Sequence, residues 1–187
     1  MAAEEKLIKG CCKGKRNYQK QLYDLYKQKL FVVCLRYART RLDAEDILQE
    51  AFIKIYANLK NFRQECPLEA WMKRIVINTA LNHNRGKLYQ FPAKDIDDMI
   101  DYLPDEEFTL SNFSLKELLH MIQSLPDGCK EVFNLYIDGF KHKEIAEKLN
   151  ISEGTSKSQY ARAKLLLQNM IKKNESESYE HVQRGSF

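Results

Sequence analysis

The stretch "NISEGTSKSQYARAK", residues 150–164, decides the fold. Asn150 breaks a helical pattern, and Asn is one of the few non-glycine residues that tolerates positive φ. Ile151 plugs the resulting turn, and Ser152 supplies a side-chain oxygen suited to cap a new helix. Before the turn, "KHKEIAEKL" places Ile145, Ala146 and Leu149 on a first helix. Ala146 is small enough for a second helix to cross closely. At roughly 100° per residue, Ser156, Tyr160, Ala163 and Leu167 share one face of that second helix. Thr155, Ser158 and Arg162 lie opposite, with Ala161 beside them and Lys157 and Lys164 flanking. Residues 141–167 therefore have the form of a helix-turn-helix. Short hydroxyls and an alanine beside long cations suit a helix entering the major groove. The small residues allow close approach to base edges, Arg forks onto guanine, and Lys meets phosphate. The N–H groups around Glu153 and Gly154 suit a phosphate as well. A solvated surface helix would share the periodicity; the paired helices, the turn and the basic flanks favour DNA.

Outward from this motif the periodicity stays helical. Residues 17–38 repeat apolar groups three and four apart, with Leu22, Leu25, Tyr26, Leu30, Val33 and Tyr37 as the stripe. A second helix follows "TRL", with Asp43 as its expected N-cap and Asp46 near the positive end of the helix dipole. Leu48, Ala51, Phe52 and Ile55 form its apolar face, with Ile47 and Tyr56 at the edges. A third helix is predicted from Pro67 to Asn84, with Leu68, Trp71, Met72 and Ile75 buried and Thr79 continuing the line. Further on, "SLKELLHMIQSL" sets Leu115, Leu118, Leu119 and Ile122 on one face. Pro126 opens another helix, which Gly139 is placed to end. The polar tail from Lys172 is expected to fray.

Between these helical blocks the composition changes. Residues 95–107, "DIDDMIDYLPDEE", carry Asp95, Asp97, Asp98, Asp101, Asp105, Glu106 and Glu107 and no cation, a local charge of −7. The chain as a whole carries +4, so removing −7 leaves +11 on the remainder. The sequence thus predicts an all-α protein of two small helical domains, 15–88 and 111–175, joined by an acidic linker at 89–110, with the C-terminal domain a helix-turn-helix. The basic body points to a polyanion as partner. With only 7 Gly and 4 Pro in 187 residues, a loop-rich all-β fold is excluded.

The third predicted helix carries a second candidate surface. Arg74, Asn78 and Arg85 follow one flank of its buried stripe, with Asn82 at the edge, Lys73 on the other side and Lys87 beyond. Phe62 and Trp71 lie close in sequence. Cations and amides beside aromatics suit an unstacked strand, whose phosphates meet the cations while a base stacks; Trp71 can equally be core. The helix around "DAEDILQEAF" is its opposite. Asp43, Asp46 and Glu50 share a face with Glu45 and Gln49 further round, which suits solvent or a basic protein partner rather than DNA.

Together, "DAEDILQEAFIKIY", "AWMKRIVINTALN" and "EIAEKLNISEGTSKSQYARAK" resemble the signature regions of extracytoplasmic-function sigma factors, in order and spacing over residues 15–172. The resemblance implies a first domain that docks on core RNA polymerase and opens the −10 promoter element, and a second that reads the −35 element. It places Asp43, Asp46, Gln49 and Glu50 in the polymerase-docking region. Asn78 and Thr79 match the −10-reading helix, with Arg74, Asn82, Arg85 and Phe62 of the loop 61–70 contributing to the same surface. Lys157, Ser158, Ala161 and Arg162 fall at the −35-reading positions, and Thr155 joins them as a DNA-binding candidate from its place on the same helix face. It further implies promoter DNA and an anti-sigma factor as partners, and a linker that imitates nucleic acid inside the polymerase. Two positions depart from the family: Ser156 stands where Val is frequent, and Gln159 where a cation is.

Other classes find little support. "GCCKGKR" lacks the spacing of a phosphate loop, and no Ser or Thr follows its Lys. His83, His120, His142 and His181 are isolated, and the cysteines form no CxxC pair or zinc pattern, so no metal, cofactor or catalysis is expected. The N-terminus has no signal-like apolar core and no run of ~18 apolar residues occurs, so a cytoplasmic chain with reduced thiols is expected. The competing function is a helix-turn-helix regulator that acts without core polymerase.

Overall fold

The fold was taken from a computed structural model that describes residues 2–87 and 114–184. The acidic segment 95–107 lies outside them. Chain contacts divide the molecule into two units, Met1–Tyr102 and Leu103–Phe187. Among the described residues every regular element is helical, and no helix is long and apolar enough to cross a membrane.

The first unit holds α1 (Ala2–Cys12), α2 (Arg16–Tyr37), α3 (Arg41–Asn58), a short 3-10 turn at Leu59–Asn61, and α4 (Leu68–Lys87). Helices α2, α3 and α4 pack on one another, while α1 lies on α2 and touches the 3-10 turn. Leu22, Leu30, Tyr37, Ile47, Ile55, Met72 and Ile77 are essentially buried at their junction. Each such side chain contributes about 1.5–3 kcal/mol by leaving water. Two polar ties close the bundle. Asn84 Nδ2 donates to the Tyr37 carbonyl at 2.9 Å, satisfying an orphan at the end of α2. His83 Nε2 lies 3.3 Å from Asp43 Oδ1.

The structure departs from the sequence pattern at several positions. Leu25 does not join the α2 stripe; it is 57% exposed. Asp43 is not the N-cap of α3. The helix starts at Arg41, and Thr40 Oγ1 accepts from the Asp43 N–H at 3.0 Å. In α4, Trp71 and Ile75 are half-buried, and the core face turns towards Val76, Ile77 and Ala80. A helix packed against both α2 and α3 buries a wider arc than one stripe. Helix α1 itself was not expected. Leu7, Ile8 and Cys11 bury its inner side, but so short a helix gives little periodicity to read.

The second unit holds α5 (Leu115–Gln123), α6 (Asp127–Ile137), α7 (His142–Leu149) and α8 (Glu153–Arg184). Ser114 and Glu117 form a reciprocal capping box at the start of α5. Of α5, Leu119 and Met121 are buried, while Leu118 and Ile122 are half-buried. Gly139 follows α6 at φ +93. Its N–H donates to the Tyr136 carbonyl and that of Phe140 to the Leu135 carbonyl, which ends the helix in a Schellman turn. Leu125, Cys129 and Ala163 form the core with Phe133, Leu166 and Leu167 packed on it. The expected fraying at Lys172 is not seen; α8 continues to Arg184.

Candidate nucleic-acid interface

The turn between α7 and α8 is built as its sequence requires. Asn150 takes φ 54, ψ 49, in the left-handed region. The Ile151 N–H reaches back to the Ala146 carbonyl at 3.0 Å. Ser152 Oγ accepts from the Thr155 N–H at 2.9 Å and caps α8. This fixes the angle at which α8 leaves the turn, and with it which residues face outward.

The inward face of α8 carries Ser156 and Ala163, both fully buried, with Tyr160 and Leu167 half-buried. Ser156 is polar because His142 is its partner: Oγ lies 2.9 Å from Nδ1 across the α7–α8 junction. The imidazole is walled by Tyr136, at 5.0 Å between ring centroids, and by Tyr160, at 5.8 Å. An apolar residue in place of Ser156 would leave a ring nitrogen without its partner. Gln159 also turns away from the outer face; its Oε1 accepts from Cys129 Sγ at 2.9 Å. Burial pushes the Cys129 thiol up, opposed by the nearby Arg162 charge.

The outward face carries Thr155, Lys157, Ser158, Ala161 and Arg162, all exposed. Ser158 Oγ donates to the Thr155 carbonyl at 3.0 Å, and Lys157 Nζ pairs with Glu153 at 2.7 Å. Lys157 holds the Glu153 carboxyl below its ordinary range, first through that hydrogen bond and then through its charge. Both partners lie on the solvent side of the helix, where such pairs are weak, so a phosphate can displace the carboxylate.

In the first unit, Arg74, Asn78, Asn82 and Arg85 are exposed along α4. Thr79 is not; it is 1% exposed, and its Oγ1 accepts from Lys54 Nζ at 3.3 Å. Its hydroxyl ties α3 to α4 rather than facing solvent. Phe62 and Trp71 are half-buried with ring centroids 5.2 Å apart at 43°, where the loop meets α4. That loop bends at Gln64, a non-glycine residue at φ 59.

On α3, Asp46, Gln49 and Glu50 are exposed, whereas Asp43 turns inward against His83. Two neighbours on this face escaped the sequence reading. Leu42 is 72% exposed and Ile53 69%. At roughly 100° per residue they fall in line with Asp46 and Gln49. Apolar residues on the solvent side of an amphipathic helix were the signal that could have found them, since an exposed apolar group framed by charges suits a protein partner. Among the described residues, no cluster of His, Cys, Asp or Glu could hold a metal.

Comparison with known proteins matches the same two segments. The model of Sigma-70 region 2 covers residues 22–87, and that of Sigma-70, region 4 covers residues 115–167. The "ECF RNA polymerase sigma factor SigW" of Bacillus subtilis is 30% identical over 180 residues, 90% of this chain and 96% of the relative. The "RNA polymerase sigma-H factor" of Pseudomonas aeruginosa is 30% identical over 166 residues, 78% of this chain and 83% of the relative. Among solved structures, the sigma factor RpoE of Bartonella quintana, crystallised with the anti-sigma factor NepR, shares the fold. Its TM-score is 0.54 at 22% identity, over 82% of this chain and 96% of that one.

Proposed function

Because the chain belongs to the extracytoplasmic-function sigma factors of the sigma-70 family, we propose that its two units divide promoter recognition between separate helical surfaces. A sigma factor directs transcription with core RNA polymerase, so the reading as a regulator acting without polymerase falls away. The proposed units are residues 15–88 for polymerase docking and the −10 element, and 111–175 for the −35 element, with 89–110 linking them.

In the second unit, α8 enters the major groove of duplex DNA. Arg162 is the base-reading cation, Ser158, Thr155 and Ala161 allow close approach, and Lys157 exchanges Glu153 for a phosphate. The observation that carries this assignment is the opposition of faces on α8: Ser156 and Ala163 fully buried, the five outward residues exposed. In the first unit, Arg74 and Arg85 hold phosphates of the opened −10 strand and Asn78 and Asn82 meet its bases. Phe62 and Trp71 offer a stacking surface beside them. Thr79 contributes by fixing α4 against α3, which sets the pose of Asn78.

Polymerase docking is assigned to the outer face of α3, through Asp46, Gln49 and Glu50 with Leu42 and Ile53 as apolar anchors. Asp43 supports that face from inside by holding His83. An anti-sigma factor is the expected regulatory partner, as NepR is for the Bartonella quintana protein, and the cytoplasm the expected compartment. No catalysis by the chain alone is part of this reading.

The test is in vitro transcription with purified core polymerase and a promoter library. Wild-type protein should restore initiation from a defined promoter class. Asp46→Arg should leave the helical circular dichroism unchanged and reduce the core subunits recovered in a pull-down. Undiminished recovery would remove the docking assignment.

A further inference from the structure

The reversal between α1 and α2 is basic on both arms. Lys6 and Lys9 lie on α1, Lys13 and Lys15 flank Gly14, and Arg16 and Lys20 follow on α2, with no Asp or Glu from Lys6 to Tyr23. Gly14 takes φ +69, which a side chain rarely adopts. The Gly14 and Lys15 N–H groups donate to the Cys11 and Gly10 carbonyls, so the reversal is a fixed Schellman turn. Gly10 serves a different purpose. A Cβ there would collide with the Tyr18 ring, which lies directly on the α1 backbone.

This packing leaves a hollow of ≈ 290 Å³ lined by Lys6, Lys9, Lys13 and Lys15, with Tyr18 and Gly10 at its side and Glu5 as its one acid. Glu5 pairs with Lys9 at 3.8 Å, both well exposed, which is a weak and displaceable contact. Lysine ammonium groups on flexible stems around an open hollow suit phosphates as point charges, and the site lacks the apolar enclosure that a small organic ligand needs.

The two helices that carry the hollow are also tied to the elements that lead to the strand surface of the same unit. Tyr56 O–H donates to the Gln19 carbonyl at 2.8 Å, tying the end of α3 to the first turns of α2. Helix α1 touches the 3-10 turn Leu59–Asn61, and Phe62 is the next residue. We propose that this lysine hollow holds backbone phosphates of the promoter strand that flanks the segment held at Phe62 and Trp71. The inference rests on the reading of the first unit as a strand-holding surface. It adds to that surface a sequence-independent anchor.

The test uses holoenzyme assembled from the full chain and core polymerase, bound to promoter DNA with a pre-opened −10 segment, across a salt series. The triple variant Lys9→Gln, Lys13→Gln, Lys15→Gln should lower the slope of log affinity against log salt by about 2–3, since each phosphate contact on DNA contributes roughly 0.7–0.9. The corresponding triple Lys→Arg variant should keep the wild-type slope. On DNA trimmed to the −10 segment alone, wild type and the Gln triple should bind alike. An unchanged slope on the longer DNA would overturn the proposal. So would a loss that appears already as weaker core-polymerase binding without DNA, which would assign the lysines to an acidic protein surface. Asn78→Ala is run in parallel. If it binds the opened DNA as wild type does, the strand reading of the unit fails; if it loses affinity while the Gln triple does not, only the lysine hollow fails.

Discussion

Helices α8 and α4 both present an outward row of polar residues over a buried face, yet the rows differ in kind. On α8 the exposed residues between Thr155 and Ala161 are short apart from Lys157, and the long Arg162 follows them. On α4 the row is Arg74, Asn78, Asn82 and Arg85, two amides bracketed by two guanidinium groups, with the Phe62–Trp71 pair beside it. A helix reading a duplex must come close to base edges that stay stacked, which short side chains permit. A helix holding an opened strand must replace stacking and neutralise phosphates, which needs reach and a ring surface. The proposed division of labour accounts for the difference: one target is paired and the other is not.

The largest expected effect tests that difference directly. Arg162→Ala should weaken recognition of a −35-dependent promoter by about 1–3 kcal/mol, if the guanidinium forks onto a base. The loss should be equal on closed and pre-opened templates, because the −35 duplex is the same in both. Asn78→Ala should behave differently, with its loss present on the intact −10 sequence and absent where that sequence is altered. Transcription assays on closed and pre-opened templates, each with either element altered, separate the two. If both substitutions give the same pattern, the division of labour between the helices fails.

A second comparison concerns what stands behind each row. Behind α8 is a polar tie, Ser156 to His142; behind α4 is another, Thr79 to Lys54. Both hydroxyls are buried, at Ser156 and at Thr79. Ser156→Ala should cost about 0.5–1.5 kcal/mol in denaturant unfolding, because the half-buried His142 ring loses a hydrogen bond. Ser156→Val combined with His142→Phe should recover much of that loss, since both polar groups then leave together. If Ser156→Ala is as stable as wild type, the hydrogen bond does not set the pose of α8.

How much of this could be read from sequence depends on how local each signal is. Asn150 in the left-handed region, Ser152 as cap and Gly139 as helix stop are decided within a few residues, and each is as the sequence suggests. The outward face of α8 comes from helical geometry alone. The Ser156–His142 tie spans 14 positions and two helices, so by local pattern Ser156 is only a missing Val. Thr40 rather than Asp43 caps α3, whose first turn begins at Arg41; both residues are good caps, and local pattern does not choose between them. Leu25 fits the α2 stripe by spacing, yet it stays largely exposed. The acidic face of α3 was visible as charge, but its apolar frame, Leu42 and Ile53, required knowing which side of the helix is covered.

The smallest expected effect bears on Lys157. In the free protein its ammonium is held by Glu153 at 2.7 Å, both on the exposed first turns of α8. That carboxylate serves two opposed purposes. It complements the positive end of the helix dipole and steadies Lys157, but it also sets a negative charge beside the phosphates that the helix must approach. Glu153→Gln should therefore leave the denaturant midpoint close to that of wild type, because exposed i,i+4 pairs contribute little to the fold. It should raise promoter affinity modestly at low salt. The gain should fade as salt rises, because screening removes the repulsion as well as the attraction. A filter-binding series with holoenzyme would show it. If Glu153→Gln instead weakens binding at every salt concentration, Glu153 is needed to aim Lys157, and the pair is part of the duplex-reading surface rather than a restraint released on contact.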